Sequence, residues 1–438
     1  MAGTAALSLT LAACGGSEDT NEADEPAASE STSESSDAGA EPTNDVCEGS
    51  ATSADTFKVG GILPITGNLA FLGPPEIAAV GLAVSDINAA GGVNGAQACH
   101  QIEDSGDSTD LSIVQASARG LVRGTPSVVI GAASSSVSEA VVDTFTDAQV
   151  TQVSPANTAV ALSGISPFYF RTAPPDGVQG SALGTLISQD GFQNIAFIVF
   201  NDTYGTGLRD VVEETVTASG GSCVYGCKGD GNEFPAGQTT FTSEVADAIA
   251  AGPDAIVVLA FDETKAIVPE LDAQGWDMAN TYFTDGNTSD YSEDLPAGIM
   301  TGAQGTIPGA DASQDFKDRV SQWYEVAEGE SLNDYSYSAE SYDATILAAL
   351  AAAKGGSNDS ATVQENFAAV SGATDGEECS TFEECLTLID EGSEIRYVGP
   401  SGIGPINDQN DPSSAFVGIY QYLEDNSYEL TSTVEGTS

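Results

Sequence analysis

Two short loops combine hydroxyl side chains with small residues: Gly131-Ala132-Ala133-Ser134-Ser135-Ser136 and Ser154-Pro155-Ala156-Asn157-Thr158. Each follows a β-branched run and precedes a helical stretch. Hydroxyls and free backbone N–H groups at the start of a helix suit a carboxylate. The same hydroxyls could serve only as helix N-caps, and the residues leave both uses open. Asp285 follows the strand-like Thr281-Tyr282-Phe283 and precedes Gly286-Asn287, a place for a counter-charge or for one more solvated carboxylate. Nucleophilic catalysis lacks its base, because the only histidine is His100, beside Cys99 on an expected strand. No catalytic residue and no enzyme is therefore expected. Tyr204-Gly205-Thr206-Gly207-Leu208 lacks the third glycine of a dinucleotide fingerprint, so no cofactor is expected either. The acidic run Asp104-Ser105-Gly106-Asp107-Ser108-Thr109-Asp110 departs from EF-hand spacing and reads as a solvated turn. Cys223 and Cys227 could form half a zinc site. With one histidine and the next cysteine pair far along the chain, no metal is expected.

The elements that must hold these positions alternate from Thr56 onward, short β-branched runs with longer helical stretches, as βαβ units do. Strands are expected at 57–63, 98–104, 128–131, 150–154, 195–200 and 255–260. Helices are expected at about 75–89, 111–124, 136–148, 178–190, 208–218, 243–250 and 263–274. In open parallel sheets ligands bind beyond the carboxyl ends of strands, where both hydroxyl loops fall.

At 438 residues the chain exceeds what one core usually supports, so two domains are expected. With 41% hydrophobic and 18% charged residues the bulk reads as globular α/β. A formal net charge of -55 repels phosphate backbones and anionic headgroups, which excludes nucleic acid as a partner. Such a surface is least self-repelling in high salt. At the N-terminus an apolar run over 2–13 ends in Leu11-Ala12-Ala13-Cys14, which resembles a lipobox, although a positive n-region is missing. Cys14 would then carry the lipid, the sole membrane contact, since no other run reaches the roughly 20 residues a bilayer needs. Residues 15–56 hold no Lys or Arg and read as an acidic, disordered tether. Six cysteines remain, an even number suited to three disulfides outside the cytoplasm. Cys223 with Cys227 and Cys379 with Cys385 would close small loops, leaving Cys47 with Cys99; the sequence does not fix this connectivity.

Five stretches carry a family resemblance: Val59-Gly60-Gly61-Ile62-Leu63-Pro64-Ile65-Thr66-Gly67, Ala89-Ala90-Gly91-Gly92-Val93-Asn94-Gly95, Phe170-Arg171-Thr172-Ala173-Pro174, Tyr204-Gly205-Thr206-Gly207-Leu208 and Ala251-Gly252-Pro253-Asp254-Ala255. In this order they resemble the periplasmic branched-chain amino acid binding proteins that feed ABC transporters, over roughly 57–422. The resemblance implies the type I periplasmic binding protein fold. That fold has two Rossmann-like lobes with parallel-sheet cores, joined by three crossovers near Ala173, Thr306 and Tyr397. Lobe 1 would comprise 57–173 and 307–396, lobe 2 174–306 and 397–430, with a tail at 431–438, and the lobes would close by hinge motion. It further implies a monomeric, lipid-anchored, extracytoplasmic protein that captures an amino acid, branched-chain or aliphatic first, for an ABC permease and its ATPase. The alternative is a ligand-sensing subunit of the same fold for amides, urea or aromatic acids. A receptor would need a membrane helix or cytoplasmic domain beyond the lobes, so sensing is expected only with a separate signalling partner.

Position by position, the resemblance implies that Ser135 binds the ligand carboxylate and that Thr158 bridges carboxylate and amino group. Ala156 would offer its backbone carbonyl to the ammonium. From the second lobe, Tyr204 would close over the ligand, Phe261 would line the pocket and Asp285 would neutralise the α-ammonium. Leu72 and Tyr337 complete the implied wall. Leu72 stands where relatives often carry an aromatic residue, and Phe261 stands in place of a tyrosine; both make the pocket more apolar. A zwitterion leaving water loses hydration at both ends, so its site must supply neutral donors and a charged acceptor. Ser135, Thr158 and Asp285 form such a set.

Overall fold

Strands such as Val128–Gly131 and Ala255–Leu259 are apolar throughout and buried at every position. Continuous runs of this kind, without alternation, belong to parallel strands covered on both faces. The computed structural model describes residues 41–47 and 55–437. The expected Cys14 lies outside the described residues.

The chain builds lobe 1 with β1 (Phe57–Leu63), α1 (Gly73–Ala89), β2 (Ala98–Asp104), α2 (Leu111–Arg123), β3 (Val128–Gly131), α3 (Ser135–Glu139), α4 (Val142–Asp147), β4 (Gln152–Ser154) and β5 (Tyr169–Arg171). These strands form an all-parallel sheet in the order β2-β1-β3-β4-β5. Lobe 2 follows with α5 (Asp176–Gln189), β6 (Asn194–Val199), α6 (Thr203–Ala218), β7 (Ser222–Tyr225), α7 (Thr242–Ala250), β8 (Ala255–Leu259), α8 (Thr264–Ala273), β9 (Thr281–Phe283) and β10 (Gln304–Pro308). The chain returns to lobe 1 for α9 (Gln314–Glu328), α10 (Ser338–Gly355), α11 (Ser360–Ala368), β11 (Glu377–Cys379), α12 (Phe382–Asp390) and β12 (Ile395–Tyr397). It ends in lobe 2 with β13 (Ser414–Tyr422) and β14 (Tyr428–Thr437). The lobe 2 sheet runs β14-β13-β10-β9-β8-β6-β7, antiparallel only where β13 meets β10 and β14.

Helix α1 is apolar on nearly every side, and α10 likewise, so both are central helices rather than amphipathic covers. Ala70–Ala89 is 20 residues long and apolar enough to cross a membrane, which corrects the expectation that no such run follows the N-terminus. It is instead mostly buried inside lobe 1. Gly81 permits this packing: a Cβ there would lie 1.9 Å from the ring of Trp323 on α9.

The chain crosses between lobes after β5, after β10 and between β12 and β13. The third passage lies later than Tyr397, because 398–411 stays with lobe 1: Ile406 joins its core, Asn410 donates to the Ser166 and Tyr169 carbonyls, and Asp411 pairs with Arg171 at 2.5 Å. Residues 431–437 are no tail but most of β14. The end of the expected tether is also corrected. Val46 bridges His100, Trp323 Nε1 donates to the Thr43 carbonyl at 2.9 Å, and Cys47 is bonded to Cys99. Closing a loop of 52 residues, that bond is worth about 4 kcal/mol in the chain-entropy model. Cys223–Cys227 and Cys379–Cys385 form the other two disulfides.

Two helices differ from expectation. The stretch 136–148 divides into α3 and α4, and the break sends Val141 into the core beneath α2 while Val142 packs on Leu162 and Tyr169. The helix expected from 208 starts at Thr203, where the Asp202 carboxylate accepts from Tyr204 N at 2.9 Å. Gly205 is tolerated in its first turn because the Phe200 ring occupies the space a Cβ would need.

Candidate functional site

The two hydroxyl loops lie side by side at the carboxyl ends of β3 and β4, tied by their own polar groups. Ser154 Oγ donates to the Ala132 carbonyl at 2.6 Å, and Asn157 Nδ2 donates to the Ala133 carbonyl at 2.6 Å. Beneath them the buried Arg171 guanidinium donates to the carbonyls of Asn157 and Ala159, with Asp411 as its counter-charge. The loop after β1 is held by the acidic run. Asp104 accepts from Ile65 N, Thr66 N and Thr66 Oγ1, and Asp107 accepts from Asn68 N. Those carboxylates are thus turn anchors, and they place Leu69 and Leu72 against the loops.

The result is a small, nearly filled cleft lined by Leu69, Leu72, Ala133, Ser134, Ser135 and Ala156 from lobe 1 with Tyr337, and by Tyr204, Phe261, Asp285 and Gly286 from lobe 2. Seven of the eight expected residues meet there. Thr158 lies just beneath, fully buried, with its hydroxyl in no hydrogen bond. Neither Ser135 nor Thr158 caps a helix through its side chain. The cap of α3 is Ser134, and only a short 3-10 turn follows Thr158 where a helix was expected. Ser135 Oγ instead accepts from Ala159 N at 3.3 Å. Tyr204 and Phe261 stack at 10° with centroids 5.8 Å apart, and Gly286 leaves room for the Phe261 ring.

Asp285 is the electrostatic centre of the cleft. Tyr204 donates to its Oδ1 and Tyr337 to its Oδ2, each at 2.6 Å. Burial pushes its carboxyl above the usual range, and the two phenols pull it back. Both phenols are held well above their ordinary value, first by burial and then by the Asp285 charge. A second carboxylate stands nearby. Asp176, the first residue of α5, is fully buried, and neither of its oxygens has a hydrogen-bond partner. Burial raises its carboxyl well above normal and Asp285 adds to this. Thr158 and Arg171 oppose it, the Thr158 hydroxyl lying near but outside regular hydrogen-bond geometry. Sequence reasoning missed Asp176, because an acid after Pro174-Pro175 at a helix start looks like any first-turn acid. Two buried acids stand beside hydroxyls while the buried Arg171 and Arg209 are each committed to acids elsewhere, so the cleft offers acceptors to a cation with neutral donors beside them.

Polar contacts also close the lobes on each other. Ser136 Oγ donates to Asp202 Oδ2 at 2.6 Å, Thr203 Oγ1 to Glu139 Oε2 at 2.9 Å, and Asn68 Nδ2 to Glu263 Oε1 at 2.9 Å. His100 takes no part in the cleft. Its ring packs on Trp323, burial lowers its pKa to about 4, and Nε2 lies 2.9 Å from Asn44 Oδ1. Among the described residues Glu213, Cys223 and Cys227 have the spacing of a metal site, but the two sulfurs are bonded to each other.

Comparison with known proteins gives this architecture its relatives. The family model described as periplasmic binding protein matches residues 56–379, well over half of the chain. The chain belongs to the periplasmic binding protein family. A leucine-, isoleucine-, valine-, threonine- and alanine-binding protein of Pseudomonas aeruginosa is 32% identical over 170 residues, 38% of this chain and 45% of that protein. The match thus spans a little under half of that relative's length. A substrate-binding protein of the chemotactic signal transduction system of Halobacterium salinarum is 27% identical over 361 residues, 78% of this chain and 82% of its own. A leucine-binding protein structure from Thermotoga maritima superposes with a TM-score of 0.70 at 19% identity, covering 86% of this chain and 98% of that one. This last likeness shows the type I fold. By their names these three relatives are binding proteins for amino acids or a substrate.

Proposed function

We propose that this periplasmic binding protein is the extracytoplasmic receptor of an ABC importer. It captures an amino acid, leucine, isoleucine or valine first, between its lobes and passes it to a permease. One observation carries the reading: Asp285 is buried across the cleft from Ser135, with its oxygens presented by two phenols. A carboxylate so placed is a counter-charge for an ammonium, while the lobe 1 loops supply hydroxyl and amide donors for a carboxylate. Asp176 adds two buried, unpartnered acceptor oxygens near Thr158 and Asp285. Leu69, Leu72, Ala133 and Phe261 give the cleft an apolar lining suited to an aliphatic side chain. Lipid anchoring through Cys14 belongs to the same proposal.

Thermal-shift and calorimetric titration with leucine, isoleucine and valine, beside urea, short amides and aromatic acids, tests the ligand. Ligand raises stability by RT ln(1 + [L]/Kd), so only a bound class moves the transition. A shift with aromatic acids alone would replace the amino-acid reading. Cys14→Ser should move the protein from the membrane to the soluble fraction. The chemotactic relative, matched over most of its length, favours sensing as a second reading. Loss of taxis with intact uptake in a deletion strain would establish it.

A further inference from the structure

Tyr337 also lines a second cavity, on the hinge side of the lobes, about 1010 Å³ with its open mouth included. Its floor is the second crossover, 308–312. Lobe 2 contributes Asp290, Tyr420 and Tyr428, and lobe 1 contributes Asp334 and Glu340. In a chain of charge -55 exposed acids are ordinary, but Glu340 is not exposed. It is 3% accessible, and among the described residues its carboxyl has no ion pair and no side-chain hydrogen bond, only its own backbone N–H nearby. It presses on Gly309, where a Cβ would lie 2.2 Å from Oε1. Asp334 Oδ2 is likewise buried without a partner, its other oxygen accepting from Ser336 N. The cationic residue on the lining, Lys317, is already bound to Asp311 at 2.6 Å. Tyr420 and Tyr428 meet edge to face at 5.2 Å, forming an aromatic wall opposite these acids.

Unpaired buried acceptors call for N–H donors, and an aromatic wall favours a cation with apolar carbon attached. The space far exceeds a bare metal ion. We propose that this hinge cavity is a second binding site, for a protonated primary alkylamine, and that its occupant holds the two lobes together. It touches both lobes and a crossover, so the bound amine stabilises the closed arrangement. The inference is independent of the ligand assigned to the main cleft.

The test is thermal unfolding of the full chain in n-butylammonium chloride, against equimolar tetramethylammonium chloride and sodium chloride. Expected is a higher Tm in butylammonium than in either control. The gain should be lost in Glu340→Gln and in Asp334→Asn, and kept in Asp285→Asn, which disables the main cleft. Equal shifts in all three salts would mean charge screening and overturn the proposal. A butylammonium gain that survives both cavity variants, or that vanishes only in Asp285→Asn, would overturn it as well. If Glu340→Gln fails to fold, Asp334→Asn decides alone. Small-angle scattering should show a smaller radius of gyration with butylammonium, and an unchanged radius would refute the coupling to closure.

Discussion

Replacing Asp285 by asparagine keeps the shape of the cleft and removes its charge. In the folded protein Asp285 is buried and accepts from Tyr204 and Tyr337 at 2.6 Å each. The amide oxygen can still accept one of these bonds, and the other hydroxyl can turn to accept from the amide nitrogen, so local geometry survives. An ammonium bound there loses a charge-assisted partner in low dielectric, which costs about 2–5 kcal/mol. That corresponds to a roughly 30- to 5,000-fold rise in Kd, since each 1.4 kcal/mol is tenfold. Free-protein stability should move the other way. The raised carboxyl means that folding is opposed by the desolvated charge at neutral pH, and this opposition vanishes below the ordinary carboxyl range. Asp285→Asn should therefore raise Tm at pH 7 without ligand, have no such effect near pH 3, and abolish the ligand-induced shift. Calorimetry and thermal unfolding with and without leucine, isoleucine and valine read all three. A variant that binds within threefold of the parent would remove Asp285 from the site.

Thr158→Val deletes a hydroxyl that makes no hydrogen bond in the fold, so stability should hold while affinity falls by about 1–3 kcal/mol. Loss of stability in urea unfolding, with affinity intact, would assign Thr158 to the scaffold. Arg171→Met leaves Asp411 buried without its partner and should cost about 3–5 kcal/mol in urea unfolding. A cost under 1 kcal/mol would contradict the reading of that pair as the clamp of the hydroxyl loops. Burial raises Glu340 to about 8 and Asp343 to about 6. Both stay protonated in the folded chain at pH values where the unfolded chain is ionised, so stability should fall as pH rises from about 5 to 8. A Glu340→Gln variant should flatten the upper half of that slope in Tm measured against pH, and an unchanged slope would exclude Glu340 as its source.

Elements set by local pattern were legible in the sequence: β1, β2 and β3 lie at the expected bounds, and α2 ends one residue early. Both hydroxyl loops were legible too, because a strand end followed by Ser, Asn and Thr is a local signal. What sequence reading missed depends on partners far along the chain. The break between α3 and α4 follows from two adjacent valines entering different clusters. The early start of α6 requires the Phe200 ring to fill the space beside Gly205. The docking of 41–47 depends on Trp323 and Cys99, 280 and 52 residues away. Asp176 carries no local mark at all; what singles it out is burial beside Asp285, which only the assembled lobes create.

The anchoring of 41–47 has a mechanical side. This segment enters lobe 1 through a disulfide, a bridge to β2 and a bond to Trp323, all distant in sequence from the three crossovers. The segment 41–47 therefore bears on lobe 1 alone, and none of its contacts falls on a crossover. Reducing Cys47–Cys99 would leave that attachment to the Val46–His100 bridge and the Trp323 hydrogen bond alone.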